Sequence, residues 1–254
     1  MRLFALSDLH VDYDANRQWV ERLSLVDYSD DVLVLAGDIS ASTERLERCI
    51  SQLVRRFKKI LFVPGNHDVW VTRVDQPADS LTKFRVVCRI AEENGALINP
   101  YHFGQLSVVP LLSWYDFSFG APDVDLKHSW MDFQVCRWPD RWGMDDVTSY
   151  FLGLNNYRRR DDDEIVISFS HFLPRIDVIS NLVRGRHRSL FPVLGTTRLE
   201  GQIRELQSAI HIYGHSHINR NVLLDGTVYV NNAFGYPHET QLVGKGLHCV
   251  YEQP

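Results

Sequence analysis

Ile60-Leu61-Phe62-Val63 is an apolar run rich in β-branched and aromatic side chains, and Pro64-Gly65-Asn66-His67-Asp68 follows it without a gap. The run reads as a buried strand, and Pro64 and Gly65 stop it abruptly. An amide, an imidazole and a carboxylate then stand together at the strand's C-terminal end, where open α/β sheets bind their ligands. Such a trio can supply a metal ligand, a proton donor and the group that orients the donor. One polar turn of this kind is weak evidence, because many strands end in polar residues. Its weight comes from recurrence along the chain.

Working outward, residues 2–6 read as a strand ending in Ser7-Asp8-Leu9-His10, and residues 31–36 as a strand ending in Gly37-Asp38. Further on, 164–169 ends in Ser170-His171, and 209–213 in Gly214-His215-Ser216-His217. Between them lie segments with apolar residues at 3–4 spacing, which predict helices over 16–25, 43–57, 80–94, 145–160 and 198–207. Residues 106–112 form another strand, placed at a sheet edge on the strength of Pro110. Residues 222–224, 227–231 and 247–251 read as closing strands. The alternation of strand and helix is that of an α/β protein. No linker, repeat or low-complexity tract interrupts it, so one domain over 1–254 is expected. Only about 113–143 breaks the pattern, an aromatic-rich insertion or cap punctuated by Gly120, Pro122 and Pro139.

The 254 residues are 44% hydrophobic, enough for a sizeable core. Net charge is -5 and the pI is near 6.1, so no basic surface advertises nucleic acid or anionic lipid. Cys49, Cys88, Cys136 and Cys249 are scattered without a CxxC pair, which argues against a thiolate zinc site and for free thiols in a reducing compartment. The apolar run Leu3–Leu6 is too short for a signal-peptide core, and no stretch approaches the ~18 apolar residues of a membrane span. A cytoplasmic protein with no membrane partner is expected.

Asp8, His10, Asp38, Asn66, His171, His215 and His217 are thus candidate metal ligands, each just after a strand. Asp8 and His10, alternate residues of an extended segment, point the same way and can grip one ion. His215 and His217 reach different ions if the chain curves between them. Carboxylate, imidazole and amide without cysteine suit manganese, iron, zinc, nickel or cobalt better than calcium or magnesium alone. Seven ligands exceed the needs of one ion, so two divalent ions sharing a carboxylate are expected. His102, His128, His187, His211 and His248 stand outside these motifs and read as surface or core histidines.

Asp8-Leu9-His10, Gly37-Asp38, Gly65-Asn66-His67-Asp68, Ser170-His171 and Gly214-His215-Ser216-His217, in this order, resemble the calcineurin-like metallophosphoesterase superfamily. The resemblance implies a four-layer α/β/β/α sandwich, two mixed sheets flanked by helices, with a dimetal site at the sheets' C-terminal edges. It implies that Asp8, His10 and His217 hold one ion, that Asn66, His171 and His215 hold the other, and that Asp38 bridges them. His67 would contact the substrate. Two ions ~3.5–4 Å apart can hold a hydroxide between them and neutralise phosphoryl oxygens during in-line attack. His67, beside the ions but not used by them, is placed to protonate the leaving oxygen or to stabilise its charge. Asp68 either orients that imidazole or is a plain turn carboxylate. Two departures narrow the subfamily. The Asp-Arg-Gly of the protein Ser/Thr phosphatases is absent after Gly37, and Ala41 stands where purple acid phosphatases carry a metal-binding Tyr.

The substrate expected is a phosphate mono- or diester of a small metabolite or nucleotide. Asn66 and His67 would touch it, Trp114, Tyr115, Trp130 and Trp138 can stack on its leaving group, and Arg137 can bind an anionic part. Core packing is the competing reading for the aromatics. Lys127-His128 and Arg184-Gly185-Arg186-His187-Arg188 add local positive charge, and Asn231–Pro237 is given a supporting role. A nuclease is the rival enzyme, disfavoured by the acidic pI. A non-catalytic scaffold is the rival from another class, although no ligand is missing.

Overall fold

In the computed structural model the described residues are 1–73, 75, 77–181, 185 and 188–253. Arg184, Arg186 and His187 of the basic stretch lie outside them. Among the described residues the strands form two mixed sheets. The first has the order β10-β1-β2-β3, from β1 (Arg2–Leu6), β2 (Val32–Ala36), β3 (Lys59–Val63) and β10 (His248–Glu252). The second has the order β4-β5-β6-β7-β9-β8, from β4 (Tyr101–Phe103), β5 (Leu106–Pro110), β6 (Ile165–Phe169), β7 (Ile210–Tyr213), β8 (Arg220–Leu224) and β9 (Thr227–Asn231). β1, β2 and β3 run parallel, as do β5, β6, β7 and β9, while β10, β4 and β8 are antiparallel additions.

The period-2 geometry of a strand sorts its side chains onto two faces. Leu3, Ala5, Val32, Val34, Leu61 and Val63 pack against Val108, Ile167, Phe169, Ile212 and Val230 of the second sheet, filling the space between the sheets. The alternate residues Phe4, Leu6, Leu33, Leu35, Ile60 and Phe62 face outward onto α1 (Asp14–Arg22), α2 (Thr43–Val54) and α3 (Ser80–Glu93). On the other side, Val109, Val166 and Tyr213 meet Leu152 of α6 (Met144–Gly153) and Leu199 and Ile203 of α7 (Thr197–Glu205). The result is the four-layer α/β/β/α sandwich that the resemblance implied.

Two sequence expectations change. β5 is not an edge strand, because β4 covers it; β4 pairs only with residues 106–108, so Pro110 lies past the last pair and its missing N–H breaks no bond on that side. The helix expected over 145–160 ends at Gly153. Asn155 then bonds both the N–H and the C=O of Leu112 at 2.8 Å, which holds the chain off the helical path. The aromatic insertion is ordered around short helices α4 (Val124–Ser129) and α5 (Asp132–Val135). It shares a core with α3 and α6, in which Trp114, Tyr115 and Leu126 are buried together with Phe84, Phe151 and Phe172.

Candidate metal centre

The candidate ligands all leave the C-terminal ends of parallel strands: Asp8 and His10 after β1, Asp38 after β2, Asn66 after β3, His171 after β6, His215 and His217 after β7. The turns are tight. Nine non-glycine described residues have positive φ, and five of them are Asp8, His10, Asp38, His215 and His217, at 42° to 67°. Such a backbone costs of order 1–3 kcal/mol per residue and persists only where the surroundings fix it. Here they do. The N–H groups of Asp8, His10 and Val11 donate to the carbonyls of Gly37, Asp38 and Ile39, lacing two strand ends together. Gly37 and Gly65 let the backbones close in, since a Cβ on either would collide with His171 or Asp38.

The side chains converge in three overlapping groups: Asp8, His10 and His217; His10, Asp38 and His67; Asp38, His171 and His215. His217 Nε2 is 3.2 Å from Asp8 Oδ1 and 3.2 Å from His10 Nε2. His171 Nε2 is 3.1 Å from His215 Nδ1, 3.0 Å from Asn66 Oδ1 and 3.5 Å from Asp38 Oδ2. Asp38 thus belongs to two of the three groups, with His10 in one and with His171 and His215 in the other, and its other oxygen accepts the His67 backbone N–H at 2.9 Å.

The donor set fits cations. His171 Nδ1 is 2.8 Å from the Ala36 carbonyl, and His215 Nε2 is 3.0 Å from the Val193 carbonyl. A carbonyl only accepts, so each ring carries its proton on that far nitrogen and turns a lone pair inward. Asn66 Nδ2 donates outward to Asp132 Oδ1 at 2.9 Å, so its oxygen faces inward as well. Two imidazole lone pairs, an amide oxygen and the Asp38 carboxylate thus face one another with no proton to share, an arrangement that a cation satisfies. Burial pushes His171 down to about 3 and His215 down to about 4, so neither is an imidazolium at neutral pH. Burial and the nearby Asp8 and Asp68 carboxylates raise Asp38 well above the usual range, the mark of negative charge with too few positive partners. At the other end burial opposes protonation of His217, but Asp8 and Glu239 outweigh it and push it up to about 9. Glu239 Oε2 holds His217 Nδ1 at 2.7 Å and so turns Nε2 toward Asp8.

His67 stands at the rim. Its Nε2 is 3.8 Å from Asp38 Oδ2 and 3.4 Å from Tyr236 Oη, and its ring stacks on Trp70 at 3.7 Å. Burial and the surrounding histidines hold it well below its ordinary value, so it is a neutral imidazole with one N–H to offer as a hydrogen-bond donor. Tyr236 also stacks on His10 at 4.5 Å.

A model of the calcineurin-like phosphoesterases matches residues 1–219. The chain belongs to that family. This phosphoesterase is accordingly a hydrolase of phosphoric esters that works with divalent metal ions. It is 26% identical to the [acyl-carrier-protein] phosphodiesterase PptH of Mycobacterium tuberculosis, across 93% of this chain and 78% of PptH. The crystal structure of phosphopantetheinyl hydrolase (PptH) superposes with a TM-score of 0.80 at 24% identity, covering 100% of this chain and 96% of that one. A protein from Thermus thermophilus shares the fold at a TM-score of 0.54 and 14% identity, over 91% and 89% of the two chains. None of the described helices of the phosphoesterase is long and apolar enough to cross a membrane.

Four expected site residues stand elsewhere. Asp68 does not orient His67. Its two carboxylate oxygens accept the backbone N–H groups of Asp38, Ile39, Ser40 and Gly65 at 2.8–3.0 Å, which ties the β2 and β3 turns together. Trp114 and Tyr115 are 2% and 0% exposed, packed in the core that the insertion shares with α3 and α6, where no substrate reaches. Arg137 is exposed, and its backbone N–H and C=O pair with Ser80 at the start of α3. The groups that do surround the centre were missed: Trp70, Asp132 and Glu239, with Tyr236 noted only as part of its loop. Glu239 and Trp70 sit in no motif. Asp132 carried one faint signal, a carboxylate set between Met131 and Phe133 in an apolar stretch, costly to bury unless paired.

Proposed function

We propose that this phosphoesterase cleaves phosphodiesters, and that its substrate is a phosphopantetheine-type arm carried on a protein rather than a free small metabolite. What carries the hydrolytic part is the sharing of Asp38 between two clusters of inward-facing acceptors. The likeness to PptH along nearly the whole chain supports the choice of substrate. Asp8, His10, His217 and Asp38 would hold one ion, and Asn66, His171, His215 and Asp38 the other. Bound there, divalent ions supply Lewis-acid charge to the phosphoryl oxygens and the attacking water. The mixed nitrogen and oxygen donors fit manganese among other metals.

The protein's own residues do the rest. His67, neutral and rimmed by Trp70 and Tyr236, donates a hydrogen bond to the leaving oxygen and stabilises the charge that builds there. Tyr236 Oη, within 3.4 Å of the same nitrogen, steadies that ring and the departing group. Water adds to phosphorus as the bond to the carrier's oxygen breaks, so the arm leaves with its phosphate and the carrier regains a hydroxyl. We read residues 1–254 as one domain in which 113–143 caps the site, a reading supported by the contacts of Trp130 and Asp132 with it. The four free cysteines favour the cytoplasm.

The test is hydrolysis by manganese-loaded protein of bis-p-nitrophenyl phosphate, p-nitrophenyl phosphate and a phosphopantetheinylated carrier protein, the last followed by mass. Turnover of the diester and loss of the arm from the carrier are expected. Cleavage of the monoester alone overturns the substrate assignment, and inertness toward all three returns the scaffold reading.

A further inference from the structure

We infer that Asp132, carried by the aromatic insertion, is the positioning residue that sets both the metal-facing amide of Asn66 and the plane of His67. The oxygen and nitrogen ends of an amide have nearly the same shape, and only its partners decide which end faces a metal. Asp132 Oδ1 accepts from Asn66 Nδ2 at 2.9 Å, which leaves Asn66 Oδ1 turned inward, 3.0 Å from His171 Nε2. Flipped, the amide would point two N–H groups at the inward lone pairs and withdraw a ligand oxygen.

The same carboxylate oxygen accepts from Trp70 Nε1 at 2.6 Å, and Trp70 is the ring stacked on His67 at 3.7 Å. The other oxygen accepts from Trp130 Nε1 at 2.8 Å, and Trp130 stands edge-on to His215 at 5.8 Å. One carboxylate, 3% exposed, thus collects three N–H donors, each of which leads to a different member of the site. Indole N–H groups only donate, so residue 132 must accept on both oxygens. An Asn there can accept on one side only and sets its own NH₂ against Trp130 or Trp70.

The insertion cannot swing away and still do this, for it is stitched down immediately after Asp132. Val71 N–H donates to the Val135 carbonyl at 3.2 Å, and Ser80 N–H to the Arg137 carbonyl at 2.8 Å. The segment is a built-in wall of the centre rather than a lid.

The inference rests on the reading of Asn66 as a ligand, and the experiment separates the two. Manganese is titrated calorimetrically into the metal-free wild type, Asn66→Ala, Asp132→Asn and the double variant Asp132→Asn/Trp130→Phe, with circular dichroism to check folding. Asn66→Ala weakens one of two ions. Asp132→Asn, nearly isosteric, weakens that same ion 10–100-fold, the usual effect of losing a partner behind a ligand, and leaves the other ion unchanged. Removing the opposed indole N–H in the double variant recovers at least tenfold, which a loss of mere packing would not do. Wild-type affinity for both ions in Asp132→Asn, beside a lost ion in Asn66→Ala, overturns the positioning role alone. Two full-affinity ions in Asn66→Ala overturn the ligand reading and this inference with it.

Discussion

Asp38 combines a left-handed backbone with a φ of 57°, nearly complete burial and membership of two of the three ligand groups. Replacing it by Asn removes the one charge shared by both groups. Asp38→Asn is expected to lose both ions together, as read by metal analysis of the dialysed protein; loss of a single ion would contradict the sharing. His67 is expected to behave differently. His67→Ala keeps both ions and loses roughly 10²–10³ in turnover, the size of losing one hydrogen-bond donor aimed at developing charge. A folded His67→Ala protein that comes up empty of metal would make His67 a ligand instead. At this scale the sequence was most readable where a residue follows a strand at once. Asp8, His10, Asp38, Asn66, His171, His215 and His217 announce themselves because a strand's end fixes direction and glycines mark close approach. Asp132 does not, because its partner Asn66 lies 66 positions away and only the folded chain brings them together.

The buried strands were legible because continuous apolar runs have few other uses, and the long helices because their 3–4 spacing repeats over several turns. β4 and the short helices α4 and α5 were not, since three to six residues hold too little periodicity to declare a type. The insertion's aromatics show the ambiguity at its sharpest. The sequence marks Trp114 and Trp130 alike as large rings in one segment, yet the first fills a core and the second faces His215. Trp114→Ala is therefore expected to cost about 3–5 kcal/mol of stability by leaving a cavity, with KM for bis-p-nitrophenyl phosphate unchanged. A raised KM with normal stability would restore its place at the substrate. The turn between β2 and α2 makes a matching case. Asp68→Asn keeps only one accepting oxygen for four backbone N–H groups. It is expected to lower the melting temperature and loosen metal binding together, because the Asp38 N–H is among those released.

Across the whole molecule, the acid limb of stability has a source far from the metals. Burial works against the ionised form of Glu164, yet hydrogen bonds from Ser107, Tyr157 and Arg160 bring it from an ordinary 4.5 down to about 2. A carboxylate depressed by folding stabilises fully above its unfolded value and stops doing so as pH falls through the folded one. The contribution is present above about pH 5 and is lost progressively toward pH 2. In metal-free protein, Glu164→Gln is expected to flatten denaturant midpoints measured between those limits, and an unchanged acid limb would locate the effect elsewhere.

The seven candidate ligands are drawn from both sheets, and the first of them is residue 8 while the last is residue 217. A ribosome making this chain therefore releases Asp8, His10 and Asp38 long before His171, His215 or His217 exists to meet them. The two candidate shells are complete only once His215 and His217 have left the ribosome, so metal loading must wait for that point and cannot guide the folding of the first sheet's strand ends as they emerge.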